Sequence, residues 1–503
     1  MQEVYIAGIG MTKFGKDPRS LAAILSEAAE IALGDAQVCE VDALYIGAMN
    51  PEEFTGDANL ASQVADVLGL TGIPATRIET ASSAGAAALM AAFQAIASGH
   101  YRRVLVLAGE KMTHLSTSAT TRILAEVIDK RERLCGATMP ALAAMITEKY
   151  RQKFRLSQSN LEKMLCAVAL KNHRNGAKNP LAQFQRVITR RDYFGSKFIA
   201  TPLRLYDCAP ITDGAAALVL TGDPTEVRLA GIGQGTGPIS LQDREIFTSF
   251  PATRIAARRA YEMAETSPQG IDFAEVHDAF TPFEIITSED LGFFPPAKGG
   301  YAALDGKTAV EGVLPINPSG GLKARGHPVG ASGLAQVVEA VKLLKGQAAA
   351  KREFKRALTQ STGGLGTNNF VAILERPGAP AVQNLWTPAP PSATPPKQKS
   401  RPPGDVIEGT IETFTIVHVT PDGFLPPLAL ALIRARDGTL LMAQGEDDTQ
   451  LKIGREVFVR RLDGVFLFTV KSQLQKVQEA FTRLWRGEPA TNPPQDSRIG
   501  DSR

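Results

Sequence analysis

Residues Gly320–Gly333 read GGLKARGHPVGASG, and how this run is taken decides how the rest of the chain is taken. Glycines and one proline surround a single histidine, His327, and the run passes straight into GASGLAQVVEAVKLL. Glycine lets backbone approach a ligand closely, and Pro328 limits how far the loop relaxes. Leu334, Val337, Val338, Val341 and Leu344 recur at helical spacing, so the segment after the loop is expected to bury one face. The arrangement presents one imidazole at the mouth of a helix. The plainer alternative is a glycine-rich turn with an incidental histidine.

Upstream, β-rich runs alternate with helical ones: Val4–Ile9 then Leu21–Ala36, Ala43–Met49 then Leu60–Leu68, Ala75–Ala81 then Ser82–Ser98, and then Val104–Ala108. Strands spaced by helix-length segments imply parallel pairing in an α/β fold. Residues of about 113–200 break the rhythm with charge clusters such as DKRERL, which marks an insertion or cap over the sheet. The rhythm resumes at Asp213, and EVRLAGIGQGT from Glu226 echoes EVYIAGIGMT from Glu3. A helix over Ala252–Ala264, a strand Phe273–His277, a helix from Thr281 to Gly292 and strands Phe354–Thr359 and Asn369–Leu374 complete a second half. The expected division is 1–225 and 226–376, two similar α/β halves.

From Pro377 to Pro403 the chain carries nine prolines, the mark of a stiff linker over 377–404. Beyond it GTIETFTIVHV, LALALIRA, GREVFVRRL and GVFLFTV are β-type runs separated by Asp-Gly and Gly turns. They predict a small β-barrel within 405–485, closed by a helix over Leu474–Leu484, and a polar tail over 486–503.

Composition narrows the function. The 503 residues carry a net charge of only +3, with 44% hydrophobic and 21% charged residues. That balance argues against nucleic acid as the main partner. Six Lys and Arg against ten Asp and Glu over 405–470 argue the same for the barrel. Cys39, Cys135, Cys166 and Cys208 form no CxxC pair, so a reducing, cytoplasmic setting and no metal site are expected. No apolar run approaches the roughly 20 residues of a membrane span.

Three further stretches carry chemistry. In TASSAGAAAL, Ser82 follows a strand and opens a helix, where the helix dipole favours a nucleophile; serine is equally a preferred N-cap. EVHDAF puts His277 at a strand end. STGGLGTNN offers backbone N–H groups near Gly363 and Gly364 to an oxyanion.

These segments in this order, the paired AGIG halves and PLRLYDCAPITDGAAALVL resemble the thiolase superfamily over about Val4–Leu374, in its sterol-carrier-type and archaeal branch, where HDAF stands for NEAF. The barrel, through TIVHVTPDGF, resembles the OB-fold partner protein of such enzymes, which makes the chain look like a fusion of both. The resemblance implies a duplicated fold layered αβαβα, a homodimer through the body, and a coenzyme A thioester as substrate with no tightly bound cofactor. It implies that His327 activates the nucleophile, that His277 forms one oxyanion hole and that the N–H groups of Gly364 and Ser82 form another. It also implies Gly326, Pro328, Gly330 and Gly363 around the substrate.

Ser82 stands where that family carries its acylated cysteine, and Ser361 where many carry a second, acid–base cysteine. A thiol near pKa 8.5 ionises readily and a hydroxyl does not, so Ser82 needs a base, and His327 is the candidate. Three functions fit: an acyl-CoA acyltransferase or Claisen-type enzyme, a retro-aldol lyase on a CoA thioester without covalent catalysis, and a non-catalytic acyl-CoA binder. The barrel has no cysteine where separate partners often carry a zinc ribbon, so no zinc is expected there.

Overall fold

The computed structural model describes residues 2–347, 353–380, 382, 386, 406–445, 451–462 and 464–471. Nine strands form one sheet in the spatial order Ala75–Ile78, Ala43–Gly47, Arg103–Glu110, Gly214–Thr221, Tyr5–Met11, Arg228–Thr236, Asn368–Glu375, Arg356–Gly363, Phe273–Glu275. The first five come from one half of the chain and the last four from the other. They meet at the two AGIG strands, with Tyr5 opposite Arg228.

Pairing is mixed, which corrects the expectation of parallel strands. Ala43–Gly47 is parallel to both neighbours, and Arg356–Gly363 to Phe273–Glu275. Gly214–Thr221 is antiparallel to both of its neighbours. Four residues join Arg356–Gly363 to Asn368–Glu375, and so short a link makes only an antiparallel hairpin.

The layering follows from period-two alternation. Val104, Val106 and Ala108 face one core with Ala216, Leu218 and Leu220, while Leu105 and Leu107 face another with Ala215, Ala217 and Val219. The first core holds two inner helices, Ala84–Ala97 and Ser332–Leu344, together with strands of both halves. The second holds the outer helix Leu21–Ala36, and its counterpart Pro251–Met263 covers the other half. The layers therefore read αβαβα.

The AGIG repeat has a steric cause. A Cβ on Gly10 would stand 2.1 Å from the carbonyl oxygen of Ala28, and one on Gly233 would stand 2.1 Å from that of Ala256. Only glycine lets each outer helix approach its strand this closely. The helix Ser332–Leu344 departs from the one-faced expectation: Lys342 is its only residue outside the buried class, because strands of both halves of the chain pack around it in the inner core.

Residues 113–200 form helices, chiefly Met139–Lys153 and Gln158–Gly176, with a short strand Phe198–Ala200. The C-terminal strands close into a five-stranded barrel in the order Ile407–Val417, Leu428–Ala435, Leu440–Gly445, Val465–Val470, Glu456–Leu462 and back to the first. Third and fifth strands are parallel, the arrangement of an OB-type Greek-key barrel. Its outer face packs on the helical insertion: Leu430, Leu432 and Met442 share a core with Cys135, Leu142 and Met145. Thr413 Oγ1 donates to Met145 O at 2.9 Å, Lys149 pairs with Glu412 at 2.6 Å, and Val417 pairs with Ala200 across the sheet edge. Of the expected linker only 377–380, Val382 and Trp386 are described, and the Trp386 ring lies edge-on to Tyr261 at 5.2 Å. The terminal helix and the polar tail expected from the sequence lie outside the described residues. Among the described residues no helix is long and apolar enough to cross a membrane.

Candidate active site

Ser82, His277, His327 and Gly364 come from four separate stretches of sequence and line one cavity of about 500 Å³. Ser82 is held by a tight turn. The strand ends at Ile78, Ala81 adopts a left-handed φ of 57°, and the helix begins only at Ala84, so Ser82 sits ahead of the helix rather than opening it. Ser83 occupies the N-cap position, but its Oγ donates to Thr80 O at 2.7 Å instead of capping. Ser82 lines the cavity, and its Oγ has no hydrogen-bond partner among the described residues.

His277 follows the strand Phe273–Glu275. Its N–H donates to Gln360 Oε1 at 3.0 Å and its Nδ1 accepts from the backbone N–H of Thr362 at 3.2 Å. Because that N–H can only donate, Nδ1 carries the lone pair and the ring proton sits on Nε2. The His327 ring stands perpendicular to it, 5.1 Å between centroids. The N–H of His327 donates to Thr212 Oγ1 at 2.9 Å, and its Nδ1 lies 2.7 Å from Ser332 Oγ, which also reaches Pro328 O at 3.2 Å. With the hydroxyl proton on Pro328 O, His327 Nδ1–H donates to Ser332 and Nε2 keeps a free lone pair. With the hydroxyl turned to Nδ1, Nε2 carries the proton. Burial, reinforced by Arg325, brings His327 down to about 3. Burial, then His327 and Arg325, hold His277 well below the usual histidine range. Both imidazoles are therefore neutral at pH 7.

The two histidine loops are tied together. Asp278, from HDAF, accepts from Leu322 N–H at 2.7 Å and from Asn172 Nδ2 at 2.7 Å. A side chain on Gly321 would strike the Asp278 carboxylate. Glu110 holds the loop from below through Gly330 N–H at 3.3 Å and Met49 N–H at 2.8 Å, and burial pushes it up to about 7.

Other residues expected around the substrate stand elsewhere. Ser361 points between its strand and the inner helices, near Gly333 and Val337, and its Oγ is buried without a hydrogen-bond partner among the described residues. It shares strand parity with Ala357, which faces the inner core. Gly326 packs against Thr212 and Phe14, Gly330 against Ala48 and Glu110, and Gly363 against Thr80 O. These glycines bring loops together and do not line the cavity; nor does Pro328, whose carbonyl accepts from Ser332. The cavity also contains Lys323 and Cys208, which sequence reasoning passed over. Lys323 was in view as the one cation inside the glycine-rich stretch apart from Arg325. Cys208 is inert as a nucleophile, since burial and Asp207 push its thiol up to about 12.

Residues 4–223 match the family described as thiolase, N-terminal domain, and residues 233–376 match thiolase C-terminal domain-like. An acetyl-CoA acetyltransferase of Methanothermobacter thermautotrophicus is 39% identical over 391 residues, which cover 75% of this chain and 100% of that protein. The solved Ltp2-ChsH2(DUF35) aldolase is 25% identical with a TM-score of 0.64, over 75% of this chain and 98% of that one. A monomeric SCP2-thiolase like protein of Mycobacterium smegmatis shares the fold over 93% of this chain and 99% of its own, with a TM-score of 0.68 at 18% identity. By these matches over both halves of the body, the chain belongs to the thiolase family.

Proposed function

We propose that this chain makes or breaks a carbon–carbon bond next to the carbonyl of a coenzyme A thioester. The observation that carries the reading is the pair of neutral, perpendicular imidazoles in one cavity with Ser82 and Gly364. A fixed Nε2–H on His277 suits the negative oxygen of an enolate or tetrahedral adduct, and a donor already in place costs no reorganisation as charge develops.

In the leading form the protein is an acyl-CoA acyltransferase of Claisen type, in keeping with the name of its archaeal relative. Ser82 Oγ attacks the thioester carbonyl carbon as its proton passes to His327 Nε2. The C–S bond breaks and the CoA thiolate leaves with that proton. His327 Nε2, free again, takes an α-proton from a second thioester. The carbanion attacks the carbonyl of the Ser82 ester, the acyl C–Oγ bond breaks, and Ser82 Oγ takes that proton from His327. An oxygen ester is less electrophilic than a thioester, so this transfer is slower than on a cysteine.

Among the described residues Ser82 Oγ has no hydrogen bond to a base, and this, with the likeness to the solved Ltp2-ChsH2(DUF35) aldolase, favours a second form. Here the β-hydroxyl of a β-hydroxyacyl-CoA gives its proton to His327 Nε2 while the Cα–Cβ bond breaks. The electron pair moves into the thioester carbonyl as an enolate held by His277, and the proton returns to Cα. A carbonyl compound and a shortened acyl-CoA leave. The barrel, whose Val419 lines the cavity, is read in both forms as a fused partner module shaping the thioester entrance.

Incubation with a panel of acyl-CoAs, followed by rapid quench, intact-protein mass spectrometry and product analysis, tests the proposal. The acyltransferase form expects an acyl adduct on the peptide holding Ser82 and its loss in Ser82→Ala. Turnover retained by Ser82→Ala with no adduct at any time assigns the lyase form. No product from any thioester rejects both.

A further inference from the structure

Lys323 is a cation of the cavity wall for which the chemistry above has no task. It lies on the short helix Gly321–Arg325, is 2% exposed and lines the same cavity as the histidine pair. Its Nζ makes no hydrogen bond and no ion pair with any described residue. It stands over the rings of Phe184 and Tyr206, at 5.7 and 5.8 Å.

The charged groups around it are already committed. Asp207 accepts from Tyr193 and Thr281, and Asp278 accepts from Leu322 and Asn172. His173, stacked on Phe184 and edge-on to Tyr206, is held at about 4 by burial and then by Lys323 itself. Cys208 keeps its proton. Other wall residues, among them Ile188, Phe280 and Phe283, are apolar.

An ammonium removed from water without an ion-pair partner is costly, and aromatic faces return only part of that cost. Burial accordingly brings Lys323 down to about 8, which leaves it mostly charged at pH 7. A desolvated cation in a largely apolar cavity, felt by Asp207 and Asp278 but with no hydrogen bond or ion pair to any described residue, is matched by a single anion brought in by the ligand. The phosphates of coenzyme A are poor candidates for that anion. They carry several charges, and exposed Arg186 at the cavity rim suits them better.

Given the thioester reading of the cavity, we propose that Lys323 receives a carboxylate at the far end of the acyl group, so that the preferred substrate is the CoA half-thioester of a dicarboxylic acid. Lys323 would then set specificity, while the histidine pair acts on the thioester end of the same molecule.

Calorimetric titration of the full chain with glutaryl-CoA and valeryl-CoA tests this, because the two differ by a carboxylate in place of a terminal methyl. The expected result is at least tenfold tighter binding of glutaryl-CoA at pH 7. In Lys323→Met that preference shrinks to within twofold, valeryl-CoA binds as well as before, and Lys323→Arg keeps part of it. Equal binding of both thioesters by the unaltered protein overturns the proposal. So does an equal loss for both in Lys323→Met, which would assign Lys323 to the coenzyme A moiety. If neither thioester binds, the reading of the cavity itself fails and this proposal falls with it, an outcome distinct from binding without preference. Should Lys323→Met fail to fold, the unaltered protein still decides: its preference for glutaryl-CoA must shrink between pH 7 and pH 9.5 as the amine loses its proton, and an undiminished preference overturns the proposal.

Discussion

His277 and His327 divide their roles because their Nδ1 atoms are held differently. A backbone N–H, from Thr362, can offer only a proton, which fixes His277 as an Nε2–H donor. A hydroxyl, Ser332, can give or take, which leaves His327 able to accept a proton at Nε2 or to donate one. With His327 at about 3 and His277 also well depressed, neither ring charges between pH 5 and 8. Ring ¹⁵N NMR of the six histidines should therefore give His277 as the Nε2–H tautomer and both rings as neutral at pH 5, where an ordinary histidine near 6.5 is protonated. A His277 or His327 signal that titrates near pH 6.5 would contradict this. His277 and Ser82 were legible from their places at strand ends, His327 and Gly364 from their glycine-rich runs. Ser361 was misleading because its motif resembles a catalytic one while strand parity turns its side chain to the inner helices. Lys323 was passed over because a lysine in a loop reads as solvated, and only packing reveals that Phe184 and Tyr206 cover it.

At the scale of elements, the AGIG repeat was visible as duplication, and its cause appears only when the outer helices are placed. Adding a methyl at Gly10 drives backbone against backbone, since Ala28 O and Ala32 N stand within 2.7 Å of the new carbon. Gly10→Ala should lower stability by roughly 1–3 kcal/mol, read as a reduced thermal midpoint. Gly34 lies in the helix Leu21–Ala36 with nothing within 4 Å of its missing Cβ. Gly34→Ala should instead hold or raise the midpoint, by about 0.5–1 kcal/mol, because alanine restricts the unfolded chain and favours helix. If both variants melt alike, close helix–strand approach is not what the repeat serves. Strand direction was less legible: a helix-length spacing implied parallel pairing, but Gly214–Thr221 enters after the long insertion and pairs antiparallel on both sides.

Over the whole molecule, the barrel is docked rather than tethered. The run LALALIRA carries no alternation because both faces of its strand are covered: Ala431 and Ile433 by the barrel interior, Leu430 and Leu432 by the helical insertion. Of the two apolar residues after the Pro-Asp-Gly turn, Phe424 meets Gly136 of the insertion, whereas Leu425 is 88% exposed and makes no such contact. A chain ending at Gly404 would uncover Cys135, Leu142 and Met145 and remove Val419 from the cavity wall. It should bind the dye ANS, aggregate more readily and hold acyl-CoA more weakly than the full chain. A truncated protein with unchanged solubility and unchanged affinity would make the barrel an independent appendage.

Both forms of the proposed reaction pass through an enolate of a CoA thioester held between His277 and His327, so the most direct measurement is exchange at the α-carbon. Acetyl-CoA incubated with the protein in D₂O should gain deuterium at its methyl group, followed by NMR. The rate should fall about a hundredfold or more in His277→Ala and in His327→Ala and stay within a few-fold in Ser82→Ala. Absence of exchange above the protein-free rate across acyl chains, glutaryl-CoA included, or exchange unaffected by loss of either histidine, would contradict the account.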